Sequence, residues 1–195
     1  KRSRACAIET LYALGKTKEI YERIQKTLKL DDENIRLAAF SAFITEKEKK
    51  DTLHNFCKSP LSFIHYSNLK FHHNDYIGFI ELIIKDLNEV ETIWEPPKLT
   101  TRNGFQTPIN INLFSKSSKN IAELKSIILN ELEKYYVKYK DDSCSYIQKW
   151  PTKKNLVGWH VILKKDGYQS VHIHPSGWLS GVIYLKVVPP LDNHE

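Results

Sequence analysis

The sequence contains no methionine and only three cysteines, Cys6, Cys57 and Cys144, which lie far apart along its 195 residues. Closely paired cysteines are typical of disulfide frameworks and of small zinc-binding modules, so both classes are excluded. Unpaired cysteines favour a reducing compartment, and we expect a cytoplasmic protein. The missing methionine, and a helical pattern that already includes Lys1, predict that the chain is part of a longer protein.

Long apolar runs and a strong local excess of one charge are also missing. No stretch approaches the roughly 20 apolar residues of a membrane-spanning helix, so we expect no membrane association. The net charge of +6 is spread along the chain, and Lys47, Lys49 and Lys50 alternate with Glu46 and Glu48. Such mixing is typical of a solvated helix surface, and we predict no nucleic-acid binding. A hydrophobic content of 41% is sufficient for a folded core.

The N-terminal third has the apolar spacing of helices, at three- and four-residue steps from Ala5 to Leu69. Gly15 is a predicted turn between the first two helices, and the short polar side chains of Asp31, Asp32 and Asn34 are predicted to cap the third. Further helices are expected at 46–57 and 59–68. The region resembles a degenerate tetratricopeptide repeat, although a plain helical hairpin is the alternative. The resemblance implies a surface that binds a protein partner.

Two more helices and several strands are predicted in the rest of the chain. The segment 75–90 places Ile77, Ile80, Ile84 and Leu87 on one face. A long helix is predicted at Ile121–Tyr139. Extended segments are predicted at 105–114, 146–150 and 155–163, followed by a turn at 164–167, KKDG, in which Asp-Gly is a hairpin signal.

Candidate chemistry is concentrated in the stretch Gly167–Pro189, GYQSVHIHPSGWLSGVIYLKVVP. Side chains two apart in a strand point to the same face, so His172 and His174 are predicted to project together. Two imidazoles on one face are suited to hold one metal ion, but imidazole does not identify the metal. Pro175 is predicted to help end this strand and Trp178–Val188 to form the next. The alternative for each histidine is a structural, hydrogen-bonded role.

This stretch resembles the core of a family of 2-oxoglutarate- and Fe(II)-dependent oxygenases. Members carry a similar run of two histidines, proline, tryptophan, Leu-Ser-Gly and a tyrosine-containing strand. Residues 101–114 resemble the segment that opens that catalytic domain, and residues 159–163 resemble the strand before the histidines. The resemblance implies an α+β fold: a helical repeat-like region at 1–70, then part of a double-stranded β-helix, or jelly roll, at 71–195.

The resemblance also implies Fe(II) and 2-oxoglutarate, in a reaction that hydroxylates an unknown substrate. His172 matches a metal ligand, whereas His174 stands where most such enzymes carry a carboxylate, so it is either a ligand or a neighbour of the site. Tyr184 is implied to face the co-substrate, and Trp178 and Ser180 to line the pocket, with ordinary sheet packing as the alternative. The third ligand and the basic residue for 2-oxoglutarate are expected beyond residue 195, so these residues alone are expected to be inactive.

Two other functions remain open at this point. A non-redox, cupin-like metalloprotein also uses two histidines separated by one residue. A helical protein-binding module with an inert β-domain would need no metal at all. The sequence does not determine the oligomeric state.

Overall fold

A computed structural model describes residues 2–115, 117–174 and 176–188. The secondary structure is mixed, with three helices at the N-terminus and a small sheet assembled later in the chain, which confirms the α+β class. Its elements are α1 (Arg2–Ala13), α2 (Thr17–Leu28), α3 (Ile35–Glu48), α4 (Tyr76–Asn88), β1 (Ile93–Trp94), β2 (Thr101–Gln106), α5 (Lys119–Tyr139), α6 (Ser145–Gln148) and β3 (Val161–Gln169), with short 3-10 helices at Pro60–Phe63 and Leu69–Phe71.

The chain divides into two compact units, each assembled from three separate segments. The first half of α5 belongs to unit 2 and its second half to unit 1, so both units are discontinuous in sequence. A division into domains at 1–70 and 71–195 stays a prediction. Unit 1 is Lys1–Tyr66, Glu131–Lys154 and Ile173–Trp178, and unit 2 is Ser67–Asn130, Asn155–His172 and Leu179–Glu195.

In unit 1, α1, α2 and α3 surround an aliphatic cluster. The predicted turn is confirmed at Gly15, whose φ of 69° is readily adopted only by glycine. The predicted cap is confirmed at Asn34, whose side chain accepts a hydrogen bond from the Leu37 N–H at 3.2 Å. The helix predicted at 46–57 is wrong, because α3 ends at Glu48 and Lys49 has a left-handed φ of 51°. The cluster consists of Ile8, Ile20, Ile24, Leu37 and Ile44.

A second, mainly aromatic cluster of unit 1 is assembled from α3, residues 56–63, α5 and α6. Phe56, Tyr135, Tyr146 and Ile147 are buried in it. Residues 145–148 form a helix, so the strand predicted at 146–150 is wrong. Three helices do not distinguish a repeat from a hairpin, and the repeat and its protein partner stay predictions.

Unit 2 contains an antiparallel sheet with the order β1-β2-β3. A Cβ on Gly104 in the central strand would lie 2.7 Å from the Ile162 carbonyl oxygen, so only glycine fits this close approach. The hairpin predicted at 164–167 is wrong, because residues 161–163 and 168–169 of β3 pair with the same strand, β2; residues 164–167 between them interrupt the register, with Asp166 at φ 59°. Three strands form a small sheet, and the jelly roll stays a prediction.

The helices α4 and α5 supply the apolar core of unit 2. Asp75 caps α4 by accepting a hydrogen bond from the Gly78 N–H at 3.0 Å. The buried residues of α4 are Phe79, Ile83 and Leu87, which pack with the first half of α5. The predicted buried face is therefore wrong for Ile77, which is 59% exposed. Within the described ranges, no helix is long and apolar enough to cross a membrane.

Candidate functional site

The stretch that holds the predicted ligands is not a strand in the structure. The last sheet-like contact after β3 is the Ser170 N–H, which donates to the Thr100 carbonyl at 2.9 Å. Beyond it, no residue of 170–174 or 176–188 lies in a helix or strand. A strand needs a neighbour for its backbone hydrogen bonds, and the described sheet does not extend to this stretch. The strands predicted around His172 and at Trp178–Val188 are therefore wrong, and Pro175 lies outside the described residues.

His172 is exposed, and one of its ring nitrogens is held by the backbone. Its Nδ1 lies 2.6 Å from the carbonyl oxygen of Ser170. A carbonyl oxygen only accepts hydrogen bonds, so Nδ1 carries the proton and the lone pair of the neutral ring is on Nε2. Metal-binding histidines commonly have this arrangement, in which a second hydrogen bond fixes the tautomer.

His174 lies in a turn, where its carbonyl oxygen accepts a hydrogen bond from the Gly177 N–H at 3.0 Å. It belongs to unit 1, whereas His172 belongs to unit 2. No strand ladder in the described part of the chain includes the two residues, so the alignment of their imidazoles does not follow from strand geometry.

The three remaining predicted site residues have different environments. Trp178 packs in unit 1, where its ring centroid lies 5.2 Å from that of Phe56 and its Nε1–H donates to the Tyr146 carbonyl at 3.2 Å. These contacts are those of a core residue. Ser180 is exposed, and Tyr184 is 74% exposed. Their roles at a pocket stay predictions.

His160, just before β3, is a polar residue that the sequence analysis did not single out. Its backbone N–H donates to the Thr107 hydroxyl at 3.0 Å, and the Nδ1 atom of its ring lies 2.8 Å from the same hydroxyl oxygen. Its Nε2 is buried and has no hydrogen-bond partner in the described part of the chain. Burial lowers the pKa of His160 and keeps the ring neutral. The segment predicted to be extended, 155–163, includes His160, and in the structure residues 156, 158 and 160 are half-buried while residues 155, 157 and 159 are exposed, so strand alternation is the signal that could have found it.

A cavity of about 400 Å³ in unit 2 lies between α4, the loop after β2 and the start of α5. Asp86 is on its wall, and hydrogen bonds from Ser118 and Asn120 lower the pKa of this carboxyl group. None of the five predicted site residues lines this cavity.

The described residues do not form a complete iron site. They contain no group of three or more His, Cys, Asp or Glu side chains that is arranged to hold a metal ion. Iron in non-haem oxygenases is commonly held by two histidines and one carboxylate on one face. His172 has the tautomer of a ligand, but the rest of such a set is not assembled around it in the described part.

Residues 158–195 match a family model whose description is "Putative 2OG-Fe(II) oxygenase". The matched segment is a short C-terminal part of the chain, and it includes both histidines and the predicted pocket residues. No curated protein and no solved structure matches the chain. The stretch is thus similar to an oxidoreductase family, and the N-terminal helices have no counterpart in these comparisons.

Proposed function

We propose that this chain carries part of an Fe(II)- and 2-oxoglutarate-dependent oxygenase that hydroxylates a substrate still to be identified. The observation that carries the proposal is the family match over residues 158–195. It falls on the stretch in which histidines, an indole, a hydroxyl and a phenol are concentrated. When bound, iron would activate dioxygen, which is the oxidant of the hydroxylation, and 2-oxoglutarate would supply two electrons as it is oxidised to succinate and carbon dioxide.

His172 is the primary ligand in this proposal. The hydrogen bond between its Nδ1 and the Ser170 carbonyl supports this assignment, because that bond leaves the lone pair for metal binding on Nε2. His174 is the second ligand. An imidazole in place of a carboxylate removes one negative charge from around the metal, so Fe(II) is held less strongly than in relatives that carry a carboxylate there.

Tyr184 is proposed to direct its hydroxyl towards 2-oxoglutarate, and Ser180 to line the same pocket. Trp178 has a different basis, because its indole is already packed against Phe56 and hydrogen-bonded to the Tyr146 carbonyl. These contacts support a role in which Trp178 anchors the stretch after the histidines.

The test is Fe(II) affinity, measured anaerobically by calorimetry, for the parent protein and for His172→Ala, His174→Ala and His174→Asp. We expect His172→Ala to abolish binding, His174→Ala to weaken it and His174→Asp to retain or strengthen it, because aspartate restores the negative charge. His72→Ala is the matched control, since His72 lies outside the family match. Iron binding by His172→Ala equal to that of the parent would refute the metal assignment.

Succinate formation provides the second readout. We expect little turnover of 2-oxoglutarate by these 195 residues, because the described part contains no three-ligand cluster. Iron binding with turnover that does not depend on 2-oxoglutarate would instead indicate a cupin-like metalloprotein. A β-region that binds no metal under any condition would favour the protein-binding module.

A further inference from the structure

Unit 1 contains a connected group of oxidisable rings, which we call the aromatic relay. Each ring is in contact with at least one other member, and the group begins at Trp178, four residues after His174. No apolar aliphatic side chain or phenylalanine is needed to connect them. The relay consists of Trp178, Tyr146, Trp150, Tyr135, Tyr136 and Tyr139.

The distances between neighbouring rings are short. The ring centroids of Trp178 and Tyr146 lie 6.2 Å apart with the planes 18° from parallel, and Tyr146 lies 5.7 Å from Trp150. Trp150 stacks on Tyr135 at 5.5 Å and on Tyr136 at 5.6 Å. Electron transfer between aromatic side chains is fast at such contact distances, since the rate falls steeply with the gap between the rings.

The two indoles are in environments that retain their N–H protons. The Trp150 Nε1 is buried and has no hydrogen-bond partner in the described part of the chain. The Trp178 Nε1–H donates to a backbone carbonyl, which is too weak a base to remove a proton. An oxidised indole that keeps its proton is a cation radical, which is a stronger oxidant than the deprotonated radical and can oxidise a tyrosine.

The tyrosines differ in where their protons can go. Tyr135 is 3% exposed and its hydroxyl donates to the Phe63 carbonyl, while the Tyr146 hydroxyl lies 3.0 Å from that of Tyr135. Among the described residues, neither buried phenol is hydrogen-bonded to a base that could accept its proton. Tyr136 is only half-buried, and the hydroxyl of Tyr139 makes its hydrogen bond to the Ile64 carbonyl at the surface. A proton released there reaches water.

We infer that the aromatic relay transfers an oxidising equivalent from Trp178 to the surface tyrosines, Tyr136 and Tyr139. A one-electron oxidant removes an electron from an indole and leaves a cation radical. This radical takes an electron from Tyr136 or Tyr139 through Trp150, the phenol loses its proton to water, and the indole is restored. The net product is one reduced oxidant, one tyrosyl radical and one proton.

The relay itself does not require iron. Its use in the cell rests on the proposed oxygenase function, because an oxygenase that reacts without substrate produces a strong oxidant that must be removed from the protein interior. The relay would carry that equivalent to the surface, where cellular reductants can quench it.

The experiment generates azidyl radicals, which oxidise tryptophan in preference to tyrosine at neutral pH, by pulse radiolysis of the protein in azide buffer. Iron and 2-oxoglutarate are omitted, so the outcome is independent of the oxygenase proposal. The parent for this experiment carries Trp94→Phe and Trp159→Phe, because these indoles of unit 2 are 45% and 39% exposed and lie outside the relay. The indole and phenoxyl radicals are followed by their separate visible absorption bands.

We expect the indole radical to convert to a phenoxyl radical at a rate independent of protein concentration. Trp150→Phe should slow this conversion about tenfold or more, which corresponds to about 1.4 kcal/mol in the barrier. The double variant Tyr136→Phe/Tyr139→Phe should lose the phenoxyl product. Tyr12→Phe is the control that should change nothing, because Tyr12 contacts Phe40 and Phe43 and no relay ring.

Two results would overturn the inference: a conversion rate proportional to protein concentration, or unchanged kinetics in both Trp150→Phe and the double tyrosine variant. Far-ultraviolet circular dichroism establishes that each variant is folded. If Trp150→Phe does not fold, the double variant alone decides the outcome, because its two rings are retained and only hydroxyl groups are removed.

Discussion

At the scale of single residues, the histidines show how the surroundings of each ring nitrogen determine its chemistry. The Nδ1 of His172 is held by a carbonyl at the surface. In unit 1, the Nδ1 of His54 instead accepts a hydrogen bond from the Phe56 N–H at 3.2 Å, while its Nε2 is buried without a partner among the described residues. His54 is 5% exposed, so water does not compensate its missing hydrogen bond.

The burial of His54 predicts a pH-dependent stability. Burial lowers the pKa of His54, and the charge of Asp32 opposes this shift only in part. As the pH falls through about 6.5, the unfolded chain binds a proton that the folded chain excludes, so the free energy of unfolding decreases. The decrease stops once the pH is below the lowered pKa of the folded state.

The variant His54→Asn tests this expectation, because the asparagine Oδ1 can still accept the hydrogen bond from the Phe56 N–H. Urea unfolding between about pH 8 and pH 5 should give a shallower loss of stability for the variant than for the parent. At pH 8, where both side chains are neutral, the comparison measures the packing change alone. Identical slopes in the two proteins would contradict the prediction.

At the scale of secondary-structure elements, α4 shows that a helix can be predicted when its buried face cannot. The helix carries isoleucines on more than one side, and Ile77 and Ile83 are chemically identical. Ile83 is fully buried with Phe79 and Leu87 against α5, whereas Ile77 is 59% exposed. The apolar pattern alone does not distinguish the two sides, because α4 has more apolar residues than one face requires.

Ile77 and Ile83, two of the four isoleucines of α4, form a matched pair for mutagenesis. Ile83→Ala should lower the free energy of unfolding by about 2–5 kcal/mol, because it removes buried methyl groups and leaves a cavity. Ile77→Ala should change it by less than about 0.5 kcal/mol, since the side chain is exposed and alanine favours a helix. Denaturant unfolding measures both values. Equal effects would mean that α4 does not bury the face that carries Phe79, Ile83 and Leu87.

At the scale of the whole molecule, the interleaved segments of the two units connect distant parts of the sequence. The aromatic cluster of unit 1 joins Phe56 to Tyr135, Tyr146 and Trp178, so residues from three segments form one core. Backbone hydrogen bonds reinforce it, because the carbonyls of Asn55 and Phe56 accept from residues 145 and 146. The N-terminal helices are therefore not the whole of their unit.

This organisation predicts that residues 1–70 alone are less stable than the same residues in the full chain. The fragment retains the aliphatic cluster of α1, α2 and α3 but leaves Phe56 without its contacts to Tyr146 and Trp178. A chain of about 70 residues has little stability to spare, so we expect early, weakly cooperative thermal unfolding. Circular dichroism of the fragment and hydrogen exchange of the full chain measure the difference. A fragment as stable as the full chain would favour an independent N-terminal domain.

The sequence by itself determined the features that depend on neighbouring residues. The turn at Gly15 follows from the backbone freedom of glycine, and the cap at Asn34 follows from its short polar side chain. The helices α4 and α5 follow from the spacing of their apolar residues. Each of these causes acts within a few residues. The resemblance of the histidine stretch to an oxygenase family was also visible in the residues, and the match over residues 158–195 supports it at that level.

Only the tertiary structure decided the features that need a partner distant in sequence. The segment around Asp166 has a turn signal, but the chain does not reverse into a hairpin there, because β2 pairs with residues 161–163 before it and with residues 168–169 after it. The stretch around His172 has a strand signal but no ladder in the described sheet, so the alternation of its side chains has nothing to enforce it. Strand formation and the choice of a buried face both depend on what packs opposite, and local sequence does not contain that information.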